Sequence, residues 1–158
     1  MTRRAAGAIA LLALCGCGGG NTAPTPVESP PTAASPRPLE VPPQTALFVV
    51  ELQQAGATAR AAEIRLPKAS FPWIDVPAVR IDVEDHYVWA FEYPTTAEAE
   101  AVARDTSASG HRFAGAQVSW VSDPHIFRSD RLIVLYVGRS RPILDVLERV
   151  LGPQFAGL

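Results

Sequence analysis

His86, His111 and His125 are the only imidazoles in the chain, and imidazole is the side chain best suited to hold a transition metal or move a proton near neutral pH. None of the three stands beside another His, Asp or Glu at a spacing that builds a metal site within one element, so no metal is expected. There is no Gly-x-Ser-x-Gly elbow to present a serine nucleophile, and the Gly18-Gly19-Gly20 run does not lie between a strand and a helix, where it would cradle phosphate. Glu84-Asp85, Asp123 and Asp130 fall where turns are expected, because short acidic side chains bond their own backbone there. An acid and base brought together by tertiary approach, such as Asp85 with Asp130, stays open. The residues thus point away from an enzyme and call for no cofactor. The densest group of special residues is Ser119-Trp120-Val121-Ser122-Asp123-Pro124-His125-Ile126-Phe127-Arg128. Trp120, His125, Phe127 and Arg128 could line a surface that stacks on and hydrogen-bonds a sugar, a peptide or a partner protein, since Trp, Tyr and Arg dominate such hot spots. The structural alternative makes Trp120 core, Asp123-Pro124 a turn and Arg128 a solvated strand residue.

The two thiols, Cys15 and Cys17, lie near the N-terminus, behind Arg3-Arg4 and the apolar run Ala5 to Leu14. A short basic segment followed by a run too short to span a bilayer reads as a signal peptide, residues 1–16. Leu14-Cys15-Gly16-Cys17 then resembles the lipobox of bacterial lipoproteins, which implies cleavage before Cys17 and a lipid on its sulfur. The competing frame lipidates Cys15 but sets the bulky Leu14 where a small residue is required. Acyl chains contribute about 0.8 kcal/mol per buried CH₂, so two or three of them, palmitate among them, make stable anchoring. The mature domain would contain no cysteine, which removes disulfides, thiol nucleophiles and cysteine metal sites from consideration. Losing Arg3 and Arg4 takes the 14 basic residues to 12 against 16 acidic ones, a net charge of −4 that gives no sign of a nucleic-acid partner or a polybasic membrane patch.

Residues 17–43 follow as a tether rich in Pro, Gly, Thr, Ala and Ser that cannot form a core. At the polyproline II rise it would reach roughly 80 Å from the bilayer. One domain, residues 44–158, remains, and the candidate residues must be positioned by its elements. Thr45 can cap a helix carrying Phe48, Leu52 and Ala55 and ended by Gly56, although Leu47 to Val50 also suits a strand. Thr58 to Leu66 looks extended, and Pro67, Pro72 and Pro77 break the chain around Phe71 and Trp73. Val79, Ile81 and Val83 alternate with Arg80 and Asp82, Glu84-Asp85 turns, and His86 to Tyr93 returns as a hairpin strand. Thr95 and Glu98 have capping-box spacing for a helix through Arg104. Gln117–Val121, His125–Arg128 and Arg131–Val137 read as strands, and Ile143, Val146, Leu147, Val150 and Leu151 as an amphipathic helix with Pro142 in its first turn. The order helix, three strands, helix, three strands, helix predicts an α+β fold, a largely antiparallel sheet with helices packed on one face. Ile81–Glu92 lines up with Ile126–Val137 at an offset of 45, an echo of two pseudo-symmetric halves.

Tyr87, Trp89, Phe91 and Tyr93 share one face of the returning strand because side chains alternate with period two. That face is either the core under the helices or, if the helices lie opposite, an exposed aromatic patch of the kind that marks a binding site. The lipobox, the proline tether, the ending Asp130-Arg131-Leu132-Ile133-Val134-Leu135-Tyr136-Val137-Gly138 and the closing Gly152-Pro153-Gln154-Phe155-Ala156-Gly157 resemble a group of uncharacterised bacterial lipoproteins. The resemblance implies an extracytoplasmic domain held by lipid at the cell membrane, or at the outer membrane where the source has two. The expected role is a non-enzymatic domain that binds an envelope protein or polysaccharide. The competing roles are a small-ligand or surface-sensing module and, third, a hydrolytic enzyme without a recognisable motif.

Overall fold

The first helix, α1 (Pro43–Gln54), starts where Pro43 supplies a preset helical φ and no N–H to satisfy. The structure, a computed structural model, describes residues 40–66 and 71–158. The predicted signal peptide, Cys15, Cys17, the spacer up to residue 39 and Pro67 lie outside the described residues. Pro43, assigned above to the tether, is thus helical, and Thr45 is not the cap. It lies buried in the first turn, where its N–H and Oγ1 both donate to Oε2 of Glu92, at 2.9 and 3.1 Å. A carboxylate from a distant strand caps the helix instead. Phe48 and Leu52 form its buried stripe, and Gly56, at φ +93°, follows its end.

The main sheet is built from β1 (Ala59–Leu66), β2 (Ala78–Val83), β3 (His86–Glu92), β6 (Pro124–Ser129), β7 (Leu132–Val137) and β8 (Ala156–Gly157). These run in the order β1-β2-β3-β7-β6-β8, every neighbour antiparallel. Between β3 and β6 lie α2 (Thr96–Arg104) and a small ladder of β4 (Arg112–Phe113) with β5 (Ala116–Gln117); α3 (Arg141–Leu151) follows β7. The fold is α+β as expected. The capping box is formed, with Glu98 N–H donating to Thr95 Oγ1 and Thr95 N–H to Glu98 Oε2. The predicted strand Gln117–Val121 contributes only Gln117 to a ladder. Val118 and Trp120 do alternate inward, but as a loop laid over the sheet, with the Trp120 indole donating to the Gly110 carbonyl at 2.9 Å. The short strand β8 was not foreseen. Two residues carry no periodic signal, and its closeness depends on Gly157, whose Cβ would lie 2.2 Å from the Pro124 carbonyl oxygen.

Both faces of the sheet are covered. On one, Val79, Ile81, Val83, Val88, Ala90, Phe127, Val134 and Tyr136 pack under Phe48 and Leu52 of α1 and Ile143 and Leu147 of α3. On the other, Phe91, Tyr93, Ile126, Ile133 and Leu135 pack with Ile74, Phe113 and Ala156, and with Ala99 of α2. Two helices therefore share a face and the third covers the opposite one. The two hairpins are equivalent at a shift of 46: Ala78 to Pro124, Val83 to Ser129 and His86 to Leu132, with the turn residues Glu84 and Asp130 both at φ +50°. The predicted echo was one residue short, and one residue exchanges the two faces of a strand. Under this shift Trp89 maps onto Leu135, its own cross-strand partner, so a pseudo-twofold axis passes between β3 and β7.

Candidate functional site

Alternation along β6 sends the four predicted site residues to different places. Phe127 is fully buried against the α1 and α3 face. His125, on the same face, is 5% exposed and stacked on Tyr136, with Nδ1 2.7 Å from Gln154 Oε1 and Nε2 3.1 Å from the Gly138 carbonyl oxygen. Arg128 projects from the opposite face and meets Glu100 of α2 at 3.5 Å. Trp120, partly buried, packs with Phe113. They do not converge on one surface, because a sheet separates Phe127 and His125 from Arg128 and Trp120. His86 reaches the other side of Tyr136, its Nδ1 3.4 Å from the phenolic oxygen. The fold thus gathers two histidines around one tyrosine, but no group of three His, Cys, Asp or Glu able to hold a metal occurs among the described residues.

The aromatic strand is graded along its length. Phe91 and Tyr93 are buried, Trp89 is half-buried, and Tyr87 is 47% exposed. Phe71 touches Trp73, Trp89 and Phe91 edge-on, at ring separations of 6.0, 6.0 and 5.3 Å, and closes the buried end. At the open end, the two-residue turn Glu84-Asp85 sets Arg80 opposite Trp89 and Asp82 opposite Tyr87. The Arg80 guanidinium lies 4.5 Å above the Tyr87 ring, and its Nε donates to Asp82 at 2.7 Å. Arg60, paired with Asp82 from β1, approaches the same carboxylate at 3.3 Å. Sequence reasoning noted the aromatic residues and missed Arg60, Arg80 and Asp82, although the turn length, read with the alternation, places them on this face. The pseudo-twofold supplies an internal comparison. Arg80, Tyr87 and Trp89 correspond to Ile126, Ile133 and Leu135, all fully or almost fully buried aliphatics. The same positions are core in one half and an exposed cationic-aromatic corner in the other.

Three further polar features complete the map. Glu92, whose side chain is 6% exposed, receives Thr45 on Oε2 and Arg131 Nη2 on Oε1 at 3.2 Å, tying α1, β3 and the β6–β7 turn together. Arg139 forks onto Asp123, Nε to Oδ2 at 2.7 Å and Nη2 to Oδ1 at 3.0 Å, and this hydrogen bonding, aided by the charges of Arg139 and His125, lowers the Asp123 carboxyl below its ordinary range. Tyr93 is 4% exposed and its buried hydroxyl has no hydrogen-bond partner among the described residues, an arrangement that costs about 1–3 kcal/mol when left unmet. Burial, and then the negative charge of Asp75, push this phenol well above the ordinary tyrosine range, so it stays protonated. No helix among the described residues is long and apolar enough to cross a membrane. No protein-family model, curated protein or solved structure matches the chain.

Proposed function

We propose that this chain is a lipid-anchored, non-enzymatic binding domain of the bacterial cell envelope, and that it holds a partner protein through the corner formed by Arg80, Asp82, Tyr87 and Trp89. The observation that carries the reading is the asymmetry between halves. Positions occupied by buried Ile126, Ile133 and Leu135 in one hairpin are occupied by a guanidinium, a half-exposed Tyr and a half-buried Trp in the other. Residues of these types supply most of the energy at protein interfaces, because large rigid rings and a planar cation bury much area at small entropic cost. The lipobox at Leu14 to Cys17 supports the placement: such a domain acts where its anchor holds it.

Crosslinking in intact envelopes, followed by recovery of the full chain, tests the corner. A partner recovered in stoichiometric yield with the wild type should fall about tenfold or more with Tyr87→Ala or Arg80→Ala, since an interface hot spot contributes upward of about 2 kcal/mol. Equal recovery with both variants refutes the assignment. Labelled palmitate should enter the wild type and be lost in Cys17→Ala. Label kept in that variant and lost in Cys15→Ala moves the anchor to Cys15.

A further inference from the structure

A strand without a neighbour presents unpaired N–H and C=O groups, and the pseudo-twofold allows the two outer flanks of the sheet to be compared position by position. In the first half, β1 covers β2, with Ala59, Arg60 and Ala61 opposite Val83, Asp82 and Ile81. At the shift of 46 these β2 positions become Ser129, Arg128 and Phe127 of β6. β8 covers β6 only at His125 and Ile126, so the lane beside residues 127–129 holds no strand among the described residues. Ser129 and Leu132 close a two-residue turn, and the alternation of an antiparallel ladder then turns the N–H and C=O of Arg128 away from β7 and into the lane. Ile126 and Pro124 face the same way, and their carbonyls accept from the N–H groups of Phe155 and Leu158. The backbone of Arg128 has no such partner among the described residues.

The side chains give the lane a charge. In the first half Asp82 meets Arg60, its cross-strand partner, at 3.3 Å. In the second half the place of Asp82 is taken by Arg128, so the ion pair across the strands would need a carboxylate on the incoming strand. Arg128 instead reaches Glu100 of α2 at 3.5 Å. Arg104, one turn further along α2, makes no side-chain ion pair or hydrogen bond among the described residues. A cavity of about 330 Å³ opens here, lined among the described residues by Glu100, Ala103, Arg104 and Arg128, two guanidiniums against one carboxylate. We infer that this lane is a docking site for an extended acidic segment of a partner protein. The segment runs antiparallel to β6, exchanges backbone hydrogen bonds with Arg128 and sets a Glu or Asp opposite it, within reach of Arg128 and Arg104. A second copy of this chain offering its own β6 flank would bring Arg128 against Arg128, a pairing of like charges. The lane lies on the other half of the sheet from the Arg80 to Trp89 corner and stands or falls without it.

Nuclear magnetic resonance titration of the isotope-labelled full chain in detergent tests the lane with a capped peptide of sequence Thr-Val-Glu-Val-Thr, its central-glutamine counterpart and a form N-methylated at the central glutamate. The glutamate peptide should move the Arg128 amide proton downfield and slow its exchange with water about tenfold. The glutamine peptide should bind about fivefold more weakly, the worth of exposed charge pairs with two guanidiniums. The N-methylated peptide should not bind, because the methyl group replaces the donor to the Arg128 carbonyl. Arg104→Gln, at an exposed helix position, should weaken the glutamate peptide about threefold and leave the glutamine peptide unchanged. Equal affinity for the glutamate and glutamine peptides, full binding of the methylated form, no binding at all, or shifts that avoid residues 127–129 overturns the assignment. Slow exchange of the Arg128 amide before any peptide is added would show that the chain itself fills the lane, and overturns it as well.

Discussion

The Asp123 and Arg139 side chains meet edge to edge, two nitrogens on two oxygens, and their effect on one another is readable by titration. Because the carboxylate is stabilised in the folded state, its contribution to stability is present above the unfolded aspartate value of 3.8 and is lost as pH falls through the lower folded value. Carbon-detected NMR of the Asp123 carboxyl should place its midpoint below 3.8, and Arg139→Ala should return it toward that value. The pair is solvent-exposed, so the same variant should leave the unfolding midpoint nearly unchanged. An Asp123 midpoint unmoved by Arg139→Ala would show that the fork does not persist in solution. Tyr93 has the opposite sign. Its phenol is raised, so stability is full below the ordinary tyrosine value of 10 and falls as pH climbs past it.

At the scale of elements, local chemistry was legible and distant chemistry was not. The Thr95 and Glu98 capping box, the Glu84-Asp85 hairpin and the stripe of α3 depend on residues within a few positions of each other, and each formed as its spacing requires. The cap of α1 depends on Glu92, 47 residues beyond Thr45. No window of sequence reveals such a pairing. Trp120, His125, Phe127 and Arg128 lie within nine residues of each other, close enough for one candidate surface or for a core residue and a strand; the alternation of β6 and the sheet it belongs to send them to different faces. Replacing Glu92 with Ala leaves the Thr45 N–H uncapped and Arg131 without its carboxylate, so urea unfolding should show a loss of about 2–3 kcal/mol, reduced from the fully buried case because Arg131 is partly hydrated. A loss below about 0.5 kcal/mol, the size of an ordinary surface substitution, would mean that water replaces the carboxylate at no cost.

For the whole molecule, a single sheet separates two cores that need not have been coupled. All three tryptophans, Trp73, Trp89 and Trp120, border the α2 face, whereas Phe127 lies wholly on the α1 and α3 face. Phe127→Ala should cost roughly 3–5 kcal/mol through lost burial and the cavity left behind. If the sheet transmits that loss, the midpoint read by tryptophan fluorescence moves as far as the midpoint read by far-ultraviolet circular dichroism. A fluorescence midpoint that stays put while the dichroism midpoint shifts would show two independently melting halves.

The Glu92 carboxylate has a mechanical consequence as well. It holds the first turn of α1 to the central strand β3 and, through Arg131, to the β6–β7 turn, while Gln44 Nε2 donates to the Ser129 carbonyl at the same turn. Tension applied to the chain at Glu40 therefore loads this clasp before it loads the helix, since α1 cannot unwind from its first residues until Thr45 and Gln44 let go. A domain fastened in this way withstands a pull on its N-terminal side with its sheet, and with it the Arg80 to Trp89 corner, undisturbed.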